Sequence, residues 1–216
     1  MLSDPELAAL ETAWAPARTA GVLGGATIQE LWEHTAGYTS AVCSHFSAEP
    51  SALRLRLIDV GTGAGVPGLL LAHQLPQCHV VLMDTLDRRL DHVRRARRAL
   101  GLESRTEVVH ARAEELGRAS ATRGAFDAAV ARLLAEPAET VELLAPLVRD
   151  GGALIVSTAP RWQATWEALP VPGLPLLEAK VDGTSDRFVT IPRRGPIPDQ
   201  LPRREKARRR TPLLPG

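Results

Sequence analysis

The sequence predicts an α/β protein built on a doubly wound, mostly parallel sheet. Three observations carry this. From Leu55 onward, short apolar runs alternate with helical patterns, as in parallel strands joined by crossover helices. The first run, Leu55 to Val60, leads into three alternate glycines, Gly61, Gly63 and Gly65, and then a helical segment opened by Pro67. Near its end the chain shows two strand-like stretches around Asp182-Gly-Thr-Ser-Asp186, a turn signal for an antiparallel hairpin.

Two helices precede the sheet. Ser3 and Glu6 have capping-box spacing, with Pro5 in the first turn and Leu7, Leu10 and Trp14 on one face, so residues 3–18 read as a helix. Thr27 and Glu30 repeat the signal and open a second helix to about Phe46. Residues 1–50 thus read as an N-terminal helical cap. Strands are expected at 55–60, 79–84, 106–110, 126–131, 152–157, 174–181 and 187–192. Helices are expected at 67–75, 86–100 and 136–149, with a short turn near 112–117 and a short helix after Pro160. The main domain then spans 51–194, and 195–216 forms a basic, proline-rich tail.

Composition narrows the class. A chain of 216 residues that is 44% hydrophobic suits one domain with a full core. The net charge of +1 says little about partners. Cys43 and Cys78 are too few for a disulfide framework or a zinc cluster and fit a reducing compartment. No apolar run reaches the roughly 18 residues of a membrane span, and no signal peptide is visible. A soluble, cytoplasmic monomer without metal is expected. His34 and His45 read as structural or exposed, since no acid or nucleophile motif sits beside either.

Glycines in such a loop let a ligand approach the backbone, and a helix start favours polar or negative groups. A dinucleotide fingerprint fails, because its third glycine, counted from Gly61, falls on Val66. Asp84 ends the second strand where an acid can meet ribose hydroxyls. The helix after it carries Arg88, Arg89, Arg94, Arg95, Arg97 and Arg98 among Asp87 and Asp91, the pattern of a solvated face. The tail differs. From Arg193 to Arg210 there are eight basic residues against Asp199 and Glu205, an excess of +6. Its prolines keep it from being helical throughout. Such a tail fits contacts to phosphate backbones, with Arg193, Arg194, Arg203, Arg204, Arg208, Arg209 and Arg210 as the RNA-binding residues. It is expected to stand clear of the loop's ligand.

The loop Asp59-Val-Gly-Thr-Gly-Ala-Gly65 resembles motif I of class I S-adenosylmethionine (SAM) methyltransferases. Several further segments resemble the bacterial small-subunit rRNA guanine-N7 methyltransferase family, GidB or RsmG. These are Asp59 to Gly68, Asp84-Thr-Leu-Asp-Arg-Arg89, His110-Ala-Arg-Ala-Glu-Glu115, Phe126-Asp-Ala-Ala-Val-Ala-Arg132, and the proline-spaced tail ending Thr211-Pro-Leu213. The resemblance implies a class I Rossmann-like fold, SAM as cofactor, and methylation of guanine N7 in 16S rRNA, with that RNA or the small ribosomal subunit as partner. It implies a cofactor site of Gly61, Gly63, Gly65, Val66, Asp84, Ala113, Glu114 and Arg132. Gly61 and Val66 would line the methionine and adenosine side, Ala113 and Glu114 the adenine, and Arg132 the mouth. No catalytic base is implied, because guanine N7 carries a lone pair and no proton.

The chain departs from the family on the substrate side. His34 is followed by Thr35-Ala-Gly-Tyr38 where the family has an Asp-Ser pair, the Asn-Leu-Thr segment is missing, and Ser157 stands where a lysine is usual. A SAM methyltransferase of other, small-molecule specificity, a nicotinamide-dependent oxidoreductase, and a non-enzymatic RNA or ribosome-assembly protein are the competing readings.

Overall fold

The structure is a computed structural model that describes residues 2–169, 174–176, 178–182 and 187–213. Helices α1 (Asp4–Thr19) and α2 (Ile28–Phe46) come first. Thr27 accepts a bond from the Glu30 amide and donates its own amide to the Glu30 carboxylate at 2.7 Å, so the second capping box forms as spaced. Then follow β1 (Arg56–Val60), α3 (Gly68–Gln74), β2 (His79–Asp84), α4 (Asp87–Ala99), β3 (Thr106–His110), α5 (Ala113–Arg118) and β4 (Phe126–Arg132). After α6 (Pro137–Leu144) come β5 (Val148–Thr158), α7 (Gln163–Glu167), β6 (Lys180–Asp182), β7 (Arg187–Pro192) and α8 (Glu205–Arg210).

The seven strands lie in the order β3-β2-β1-β4-β5-β7-β6. The pairs among β1 to β5 are parallel, and β7 runs antiparallel between β5 and β6. Strand order reverses between β1 and β4, where ligands of open α/β sheets bind beyond the carboxyl ends. Buried side chains form two clusters, one holding α1, α2, α3 and α4 against the sheet and one holding α6 and the C-terminal strands against its other face.

Several boundaries differ from expectation. The helix expected over 136–149 stops at Leu144, because Pro146 has no amide to continue the ladder. A 3-10 turn over 145–147 bridges to β5, which starts at Val148, earlier than expected. The strand expected over 174–181 is reduced to Lys180–Asp182, with Leu176 making an isolated bridge to Arg193. Past Asp182, the hairpin turn lies outside the described residues.

The tail does not stand free. Ile197 and Leu201 are buried in the second cluster. Its prolines interrupt the run of backbone donors, leaving carbonyls that arginines of the domain satisfy. Arg123 donates to the carbonyls of Leu201, Ile197 and Pro198 at 2.6, 3.1 and 2.9 Å, and Arg118 donates to Pro202 at 2.6 Å. The unanticipated helix α8 begins only after the last of these prolines.

Candidate functional site

The glycine loop is held at three points. The amides of Gly61 and Thr62 both donate to the Met83 carbonyl, at 2.9 and 2.8 Å. Trp14 of α1 donates its indole N–H to the Ala64 carbonyl at 2.8 Å, so the helical cap pins the loop from outside. Asp59, fully buried at the end of β1, accepts from the Thr62 hydroxyl at 2.6 Å and the Gly68 amide at 2.9 Å. Its Oδ1 has no partner. Burial raises the Asp59 carboxyl to about 6, with the Thr62 and Gly68 bonds and Arg132 opposing.

Gly61, Gly63 and Gly65 all have positive φ, a conformation glycine adopts without a Cβ penalty. At Gly63 (φ +58°) an added Cβ would meet nothing nearer than the Gly61 carbonyl at 4.0 Å, so that backbone faces open space. Its amide donates to Asp84 Oδ2 at 2.9 Å, and the Leu86 amide donates to Oδ1 at 2.9 Å. A carboxylate has about four acceptor positions, so Asp84 keeps lone pairs for a ligand.

A cleft of about 320 Å³ opens beyond β1, β2 and β4, lined by Gly61, Asp84, Ala113, Glu114, Arg132 and Leu134 among others. Five of the eight expected cofactor residues therefore share one cavity. Gly63 and Gly65 shape the loop beside it. Val66 does not line it: the side chain is 5% exposed and packed in the first core cluster. Arg132, at the end of β4, is half-buried with no hydrogen bond or ion pair among the described residues.

The far wall comes from the tail. Arg208 of α8 is 4% exposed. It donates to Glu114 Oε1 at 2.6 Å and Glu139 Oε1 at 3.0 Å, and to the Arg203 carbonyl at 2.6 Å. Burial alone would raise the Glu114 carboxyl, but the Arg208 bond, the backbone bond and the charges of Arg208 and Arg112 together leave the group below its ordinary value. Arg203 in turn forks onto the buried Glu142, with Nε at 2.8 Å from one oxygen and Nη2 at 2.6 Å from the other. Of the seven arginines expected on RNA, Arg203 and Arg208 are thus held by carboxylates and Arg193 is buried, while Arg194, Arg204, Arg209 and Arg210 are exposed.

A second cleft, also about 320 Å³, shares Leu133, Leu134 and Ala135 with the first. Ser157, Thr158, Arg161, Trp162 and Trp166 line its other side. Trp166 is buried and donates to the Thr158 hydroxyl at 2.8 Å, whereas Trp162 is half-buried with Arg161 over its ring. On the ridge between the clefts Leu133 is 83% exposed with φ +53°. A leucine in this left-handed conformation is strained by roughly 1–2 kcal/mol, and such strain gathers at functional sites.

Tyr38 of α2 was not singled out by the sequence. Its hydroxyl donates to the Ala131 carbonyl at 2.7 Å and accepts from the Ser157 amide at 3.1 Å, joining β4 to β5 where the second cleft begins. Gly37 makes room beside it: a Cβ there would lie 2.1 Å from the Phe188 ring, which packs edge-on against Tyr38. The glycine before the tyrosine was the only sequence signal available, and it reads as a close approach only once β7 is in place.

The chain matches the family model GidB, rRNA small subunit methyltransferase G, over residues 16–169. It is similar to Ribosomal RNA small subunit methyltransferase G of Synechococcus sp. (strain WH7803), 38% identical over 58% of this chain and 49% of that protein. With the Deinococcus radiodurans protein of the same name it shares 32% identity over 74% of this chain and 66% of that one. The chain thus spans about half to two thirds of the length of these relatives. Among solved structures, cofactor-bound Rv0187 from MTB superposes with TM-score 0.61 at 20% identity, covering 89% of this chain and 92% of that one. A methyltransferase from Geobacter sulfurreducens does so with TM-score 0.57 at 16% identity, over 89% and 92%. At such identities these two show the fold.

Proposed function

The chain belongs to the GidB family, rRNA small subunit methyltransferase G, and on that premise we propose that it is a SAM-dependent methyltransferase acting on guanine N7 of 16S rRNA. The observation that carries the reading is the pair of adjoining clefts at the strand-order reversal, which share the ridge Leu133–Ala135. One suits a methyl donor and the other a planar acceptor.

The residues of the first cleft fit SAM. Gly63 leaves its space open, Asp84 has lone pairs for ribose hydroxyls, and Arg132 is a free cation for a carboxylate. Ala113 and Glu114 lie where an adenine would rest, while Val66 acts through the loop's packing. When bound, SAM supplies an electrophilic methyl group on a sulfonium. The chain's own task is alignment. Trp162 offers a face on which a purine can stack, and the ridge sets its distance from the donor side. Guanine N7 has an in-plane lone pair and no proton to remove, so positioning carries the catalysis. Ser157 and Thr158 face the acceptor without needing to act as bases.

Residues 1–50 serve as the cap that pins the glycine loop, 51–194 as the transfer domain, and 195–216 as the tail, of which the described residues to 213 fold onto that domain. Exposed Arg194, Arg204, Arg209 and Arg210 reach the phosphates of the small ribosomal subunit's RNA. The protein acts as a cytoplasmic monomer. Mapping N7-methylguanosine in rRNA from a deletion strain and its parent tests the assignment. A single site lost in the deletion is expected; an unchanged map overturns it.

A further inference from the structure

At the other end of β5, far from both clefts, a cavity of about 550 Å³ is lined by His45, Gly151, Lys180, Arg193 and Arg194, and by one acid, Glu178. Gly151 and Ser157 are six residues apart on one strand, so the cavity lies roughly 20 Å from the acceptor cleft.

Arg193 is the unusual member. Only 8% of it is exposed, and its Nε is buried without a hydrogen-bond partner. It forms no ion pair with any carboxylate among the described residues. Asp150 lies near enough to feel Arg193 and Arg194, but its carboxylate accepts the Gly195 amide at 2.8 Å. Glu178 is exposed. The backbone fixes Arg193 in place: its amide donates to Gly152 at 2.9 Å and its carbonyl accepts from Gly151 at 3.0 Å.

A guanidinium taken from water without a partner is costly. Burial depresses the protonated form of Arg193 accordingly. Among the described residues only the charge of Asp150 opposes that cost, and it makes no ion pair with Arg193. Exposed Lys180 and Arg194 add two cations to the same cavity, and His45, whose Nε2 lies 3.1 Å from the Gly151 carbonyl, adds a ring edge. Planar guanidinium forks match phosphate oxygens two at a time.

We propose that this cavity is an anion site that takes a phosphate of the RNA backbone, a second hold on the substrate remote from the reacting base. The choice of RNA as the source rests on the function proposed above; the anion site itself does not.

The test has two arms. In the first, melting of the full chain is followed in pyrophosphate and in chloride at matched ionic strength, for the parent, Arg193→Met and the exposed-site variant Lys180→Ala. A ligand that binds only the folded form raises the melting temperature. Pyrophosphate is expected to raise it in the parent, less in Lys180→Ala and not at all in Arg193→Met. No rise in the parent overturns the site. In the second arm, binding of a single-stranded oligoribonucleotide is measured across a salt series. Arg193→Met should flatten the log–log slope by about 0.7, the value for one contact to a single strand, with S-adenosylhomocysteine affinity unchanged. Should Arg193→Met not fold, Lys180→Ala carries both arms. Pyrophosphate binding with an unaltered RNA slope overturns the RNA assignment and leaves a site for free phosphate. Failure of rRNA methylation with both arms positive would sink the proposed reaction and not this site.

Discussion

Arg208 and Glu114 stand 94 positions apart in the chain, and their side chains meet at 2.6 Å on the wall of the cleft beyond β1, β2 and β4. Arg208 also reaches Glu139 at 3.0 Å, so one buried guanidinium holds two carboxylates that would otherwise repel. Helix α8 therefore forms part of the wall of the cleft proposed for the cofactor.

Replacing Arg208 tests this. Removing one partner of a buried pair costs about 3–5 kcal/mol, so Arg208→Ala should lower the urea midpoint strongly. In the folded fraction, S-adenosylhomocysteine should bind about ten-fold more weakly or worse, because Glu114 loses its orientation. Arg208→Lys keeps the charge without the fork and should fall between. Calorimetry on a folded Arg208→Lys protein with parental affinity would detach the tail from the site.

Gly63→Val places a branched side chain at φ +58° and in the open space before the loop. We expect a stability loss of roughly 1–2 kcal/mol from the left-handed backbone. Loss of S-adenosylhomocysteine binding should exceed what that destabilisation explains. Equal affinity for the folded variant, measured by calorimetry, would exclude this loop as the cofactor's seat.

Asp59 predicts a pH effect. Its ordinary value is 3.8 and its folded value about 6, so the folded state holds the proton more tightly. The contribution to stability is fully present below about pH 4 and is lost as pH rises through about 6. The two-unit difference corresponds to about 3 kcal/mol. Denaturant curves of the parent and Asp59→Asn at pH 4.5 and 7.5 should show the parent losing ground to the variant at the higher pH. A gap that does not change with pH would mean Asp59 titrates normally.

Tyr38→Phe removes the hydroxyl that serves both the Ala131 carbonyl and the Ser157 amide. Each buried group left unpaired costs about 1–3 kcal/mol. The acceptor cleft should loosen while the donor cleft stays closed around its ligand. Single-turnover kinetics should show slower transfer with S-adenosylhomocysteine affinity near parental. A fall in both together would place Tyr38 in general stability alone.

The order of strands and helices, the glycine loop and the position of Asp84 were all legible beforehand. Each depends on short-range patterns: apolar runs bounded by turn residues, capping spacings, and glycines where φ must be positive. Asp59 to Gly68 and His110 to Glu115 could be matched to a family for the same reason, since their spacing is set by a turn and a strand end. Gly61, Asp84, Ala113, Glu114 and Arg132 line one cleft.

The tail shows where local pattern ends. By itself the sequence determined that the chain winds an α/β sheet with a glycine loop after β1 and a basic, proline-broken end. It did not determine which arginines are solvated, because Arg204 and Arg208 look alike in a charge count. Only the tertiary structure decided that Arg208 turns inward onto Glu114 and Glu139, that Arg203 forks onto Glu142, and that Val66 packs in the core. It also set Tyr38 between β4 and β5 and left the Arg193 Nε buried without a hydrogen-bond partner. Burial and charge pairing depend on groups that are distant along the chain and become neighbours only when the sheet closes, so their cost and gain are written in the packing and not in the local order of residues.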